Sequence, residues 1–125
     1  MERDSVSLDT RSMIANRLSV LRIRFLDVLE TRMTECEALR DSLEAGLPEA
    51  ERVSAVRAIC FAAHKTVGVA ATLGFADLGM LSQRVELAAT DYLDRSEPPT
   101  TIRMVVSLAD DMLGEMALIL AEAGR

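Results

Sequence analysis

Residues 43–78, "LEAGLPEAERVSAVRAICFAAHKTVGVAATLGFADL", decide the fold. Between the breaks at Gly46-Leu47-Pro48 and at Gly74, apolar residues recur at steps of three and four: Val56, Ile59, Ala63, Val67, Ala70 and Leu73. That spacing predicts a helix with one buried stripe. Pro48 suits its first turn, where a missing N–H costs nothing. Gly74 supplies the left-handed cap at its end. Both connections are short, and short connections make neighbouring helices antiparallel.

Working outward, the same period continues on both sides. Upstream, Leu18, Leu21, Phe25, Val28, Cys36, Leu39 and Leu43 form the apolar stripe of a helix that Gly46 and Pro48 end. Residues 8–17, "LDTRSMIANR", predict either a separate short helix or an extension of this one, and periodicity leaves both open. Downstream, Leu78, Leu81, Val85, Ala88 and Tyr92 mark a third helix that stops in "DRSEPPTT". Two prolines are excluded from a helix interior but can open one. The fourth helix carries Ile102, Val105, Ala109, Met112, Met116 and Ile119. No strand-like alternation, internal repeat or low-complexity linker interrupts the series. The expected fold is therefore all-α, an up-and-down antiparallel four-helix bundle, with or without a short extra N-terminal helix. It forms a single domain over residues 1–125, with its core at about 18–123.

Composition narrows the function classes. The chain has 125 residues, 50% of them apolar and only 3% aromatic, so its core is built from Leu, Val, Ile, Met and Ala, a palette that favours helices. The methionines are expected mostly on the buried stripes. A net charge of −6 opposes an electrostatic grip on nucleic acid or anionic lipid, leaving proteins or small molecules as partners. Cys36 and Cys60 lack the neighbours of a zinc site and read as reduced, half or fully buried thiols. The start "MERDSVSLDT" has no apolar signal region, and no stretch approaches the ~20 apolar residues of a membrane span, so a cytoplasmic protein without membrane contact is expected. The initial Met, and the absence of a domain signal after "AEAGR", favour a free-standing protein over a piece of a larger one.

His64 is the only histidine. At 100° per residue it lies about 120° from the centre of the apolar cluster, on the border of the exposed face. Arg57, Phe61, Gly68 and Ala71 share that face. A glycine on an exposed helical face costs about 1 kcal/mol relative to alanine, so Gly68 calls for a reason, and clearance for something bulky approaching the imidazole is the obvious one. Phe61, an outward aromatic one turn away, suits a docking surface. The plain alternative is a polar surface histidine with no further role.

The run His64, Lys65, Gly68, Gly74, Phe75, Leu78 and Glu86 resembles histidine-containing phosphotransfer (HPt) domains of bacterial phosphorelays. Two positions depart from the family pattern: Val67 stands where lysine is common, and Thr66 where leucine is usual. On the wheel Lys65 lies on the exposed flank opposite Val67; Lys65 is the candidate for the cationic role at the catalytic site, with Arg57 and Arg84 as competitors. The resemblance implies that His64 accepts a phosphoryl group from a receiver-domain aspartate and passes it to another receiver. It implies further that a carboxylate or amide on the adjacent helix fixes the imidazole tautomer. Glu86 is the candidate, with an ordinary solvated glutamate as the alternative. Arg57, Phe61, Gly68, Ala71 and Arg84 are expected to dock the receiver. Partners would be receiver domains of response regulators or hybrid histidine kinases, with no nucleic acid and no membrane. Magnesium would come with the receiver, so no cofactor or metal site is expected in this chain. With no glycine-rich nucleotide loop, no autokinase activity is expected either. Two other readings stay open, a phosphoacceptor domain of a larger kinase and a helical adaptor that binds a receiver or another signalling protein without phosphorylation. An enzyme with its own substrate pocket finds no convergent nucleophile.

Overall fold

The computed structural model describes residues 2–125, with side chains described from Leu8 onward. Four helices follow one another: α1 (Glu2–Ala45), α2 (Glu49–Ala70), α3 (Ala76–Asp94) and α4 (Ile102–Glu122). Each packs against two others, α1 on α2 and α4, and α3 on α2 and α4, which closes the ring of a four-helix bundle. Its centre is filled by Leu29, Ile59, Leu78, Val85, Met112 and Met116, all without solvent access.

The helix boundaries refine the sequence expectations. Residues 8–17 are continuous with α1, so no separate N-terminal helix exists and α1 runs 44 residues, about 66 Å. Only part of it meets the bundle. Phe25, Leu29, Cys36 and Leu43 are buried, whereas Leu21 and Val28, expected in the same stripe, are 46% and 45% exposed. They lie at the edge of the face that α2 covers. Pro48 immediately precedes α2 as its N-cap, one residue outside the expected first turn. α2 ends at Ala70, a turn before Leu73, and the chain reverses through Gly74 at φ +90°. Phe75 then stacks on Phe25 with ring centroids 5.7 Å apart, and Arg22 Nε donates to the Leu73 carbonyl at 2.8 Å, tying this corner to α1. The prolines do not open α4. They lie in the connection, and Thr101 caps the helix by accepting from the Met104 N–H at 3.2 Å.

Two further expectations are corrected. Met112 and Met116 are core residues and Met33 packs on the core, but Met13, Met80 and Met104 are exposed. α2 is, by length and composition alone, apolar enough to cross a membrane. Within the bundle, its Val56, Ile59, Ala63 and Ala70 are buried in the core.

Candidate functional site

α2 and α3 run antiparallel, and their facing side chains set a register. Cys60 Sγ lies 3.5 Å from Thr90 Oγ1 and 3.8 Å from the Glu86 carbonyl. One turn along, His64 Nδ1 lies 2.6 Å from Glu86 Oε1. Val85 beside Glu86 is fully buried and anchors α3 at this level. The imidazole is 69% exposed and the Glu86 side chain 27%.

This geometry has a chemical consequence. A carboxylate can only accept, so Nδ1 must carry the hydrogen. In the neutral ring Nε2 is then the nitrogen with the free lone pair. The same bond fixes the ring's rotation about its axis.

The other predicted residues divide between the two sides of α2. Phe61 is 62% exposed, and Lys65 Nζ lies 4.4 Å over its ring centroid, a cation–π contact. Lys65 also borders a hollow with Asp27, Arg32 and Glu35, which places it on the α1 side, away from Glu86 on α3. Gly68 has nothing within 4 Å of where a Cβ would stand. It opens onto a groove of about 430 Å³ between α1 and α2. Ala71 is exposed but lies against Gly79 at the start of α3. Arg84 Nη2 contacts Met80 Sδ at 3.9 Å, and neither it nor Arg57 joins an ion pair among the described residues. The structure thus brings His64 and Glu86 into direct contact, and pairs Lys65 with Phe61. Arg57 and Arg84 stand as separate exposed cations.

One neighbour, Arg32, was not singled out from sequence. Thr66 is fully buried, donates to the Ala62 carbonyl at 2.8 Å and accepts from Arg32 Nη1 at 2.9 Å. Both bonds satisfy a hydroxyl that would otherwise be costly in the core. Burial holds the Arg32 guanidinium below its ordinary pKa, against the opposing pull of nearby Cys36 and Glu35. The signal was present: Arg32 is a charge three residues after Leu29 and four before Cys36, on the buried stripe of α1.

No curated protein and no solved structure matches the chain significantly. The family comparison is positive: the sequence profile of the Hpt domain matches residues 27–118, from the middle of α1 into the last turns of α4, with the His64–Glu86 pair inside it. The chain therefore belongs to the Hpt domain family, whose role is histidine phosphotransfer in phosphorelays.

Proposed function

We infer that His64 is the phosphoryl carrier and that it exchanges the group with the aspartate of receiver domains in both directions. The observation that carries this is the 2.6 Å contact between His64 Nδ1 and Glu86 Oε1 on an exposed helical face. The Nε2 lone pair attacks the phosphorus of an aspartyl phosphate. The P–O bond to the aspartate breaks, and the carboxylate leaves with its electron pair. Nδ1 keeps its hydrogen throughout, and the positive charge that develops on the ring faces the Glu86 carboxylate. Attack by a second receiver's aspartate on the phosphohistidine reverses these steps. Magnesium and the acidic pocket belong to the receiver, and this chain supplies position and a nucleophile. The reaction takes place in the cytoplasm, with response regulators or hybrid kinases as donors and acceptors.

The test is transfer of a labelled phosphoryl group from purified charged receivers. Wild type should gain an acid-labile, base-stable label, and His64→Gln should bind receivers but gain none. Labelling of His64→Gln at the wild-type rate would exclude His64. Receiver binding by a wild type that never becomes labelled would instead establish an unphosphorylated adaptor.

A further inference from the structure

Three contacts fix how α2 and α3 slide past each other. Cys60 meets Thr90, His64 meets Glu86, and a Cβ at Gly79 would touch Ala71 Cβ at 3.6 Å. From one pair to the next the number rises on α2 by as much as it falls on α3, first by four and then by seven. The same register places Gln83 opposite Val67, between the last two pairs. Gln83 lies three residues before Glu86, on the flank of α3 that meets α2. Its level is separated from that of His64 by three residues of rise, about 4.5 Å.

The phosphoryl group bound for His64 Nε2 carries three oxygens, and transfer proceeds by holding them in place and offsetting their charge. This chain offers few donors for that. Lys65 is turned over Phe61 on the α1 side, and Arg84 follows Gln83 by 100° round α3, away from α2 and against Met80. Arg57 is nearly two turns before His64. Val67 is half-buried and apolar, and Thr90 is held by Cys60 Sγ at 3.5 Å. Gln83 is different. It is exposed, and its carboxamide makes no hydrogen bond among the described residues.

We propose that Gln83 binds the transferred phosphoryl group, its side-chain N–H donating to a phosphoryl oxygen while Glu86 holds Nδ1. This rests on His64 being the carrier. Glu86 and Gln83, one turn apart on α3, then divide the work: the carboxylate accepts from the ring, and the amide donates to the group the ring receives. The donor is neutral, so its contribution is independent of salt.

Two phosphoryl donors test it. Phosphoramidate is small and requires no docking; Nε2 displaces ammonia from it. Charged receivers are the second. Gln83→Ala should take label from both roughly tenfold more slowly, with receiver affinity unchanged at low and high salt. Gln83→Glu keeps the shape but cannot donate and adds a negative charge, so it should be slower still. Phosphorus NMR of the phosphorylated protein supplies a readout that a merely structural residue would not move: Gln83→Glu should raise the pKa of the phosphoryl group, as a like charge does. Val67→Lys, a donor on the facing helix, should restore much of the rate to Gln83→Ala. Circular dichroism checks that each variant folds.

Label on wild type and none on His64→Gln establishes the carrier separately. Wild-type rates for Gln83→Ala with phosphoramidate, or an unmoved phosphoryl pKa in Gln83→Glu, then overturns the role of Gln83 and leaves His64 standing. Slowing with receivers alone, together with weakened receiver binding, would assign Gln83 to docking and also overturns it. A wild type that takes label from neither donor removes the carrier reading and this one with it.

Discussion

Glu86 acts on His64 through one bond, so its contribution divides by chemistry. Glutamine presents an oxygen at the same place and can accept from Nδ1–H, whereas alanine leaves the ring free to rotate and to change tautomer. Glu86→Ala should slow phosphorylation of His64 roughly ten- to hundredfold with receiver binding nearly intact, and Glu86→Gln should recover most of the rate. Single-turnover transfer assays distinguish the two. Gly68 offers the complementary test. Gly68→Arg fills open space and improves helix propensity by up to about 1 kcal/mol, so the melting temperature should hold or rise while receiver binding and transfer collapse. Cys36 carries a pH signature of the core. Burial pushes its thiol up from an ordinary 9.0 to about 11, so the unfolded chain releases this proton first and holds fewer protons than the folded one. Stability should therefore fall as pH rises from about 9 to about 11, and Cys36→Val should flatten that fall in denaturant titrations. At this scale the sequence reveals face and spacing, which place His64 and Gly68 outward. It does not reveal which of two exposed flanks a long side chain follows, and so Lys65 over Phe61 was not legible.

Among the elements, α2 was the easiest to delimit because punctuation bounds it on both sides; its stripe holds except that Thr66 is the buried residue and Val67, expected there, is half-buried. The start of α4 was harder. Two prolines and two threonines compete for it, and the outcome rests on one hydroxyl that satisfies an orphan N–H. Thr101→Ala should cost about 1 kcal/mol, measured by chemical denaturation. α1 was legible in type but not in extent, because an apolar period records that a face is sticky without recording what covers it. Leu21 and Val28 read like Phe25 for that reason. Arg32 joins α1 to α2 at the level of the site. Thr66→Val keeps the shape but leaves the guanidinium without this acceptor, and should destabilise the fold by about 1–3 kcal/mol.

For the whole molecule, α1 is about twice the length of α2, α3 or α4, and a four-helix ring can enclose only the shared portion. Stability is therefore unequally distributed along a single helix. Leu29→Ala, within the ring, should cost about 2–5 kcal/mol. Met13→Lys with Ile14→Lys, outside it, should change stability by no more than about 0.5 kcal/mol per site.

An unbroken helix whose two halves rest on different support opens in two different ways. Backbone amides of residues 8–17 need only local fraying to meet solvent, whereas those from Phe25 to Leu43 must wait for the ring itself to come apart. Deuterium uptake along α1 should change from fast to slow over a few residues between Leu18 and Phe25, with no bend or proline to mark the place.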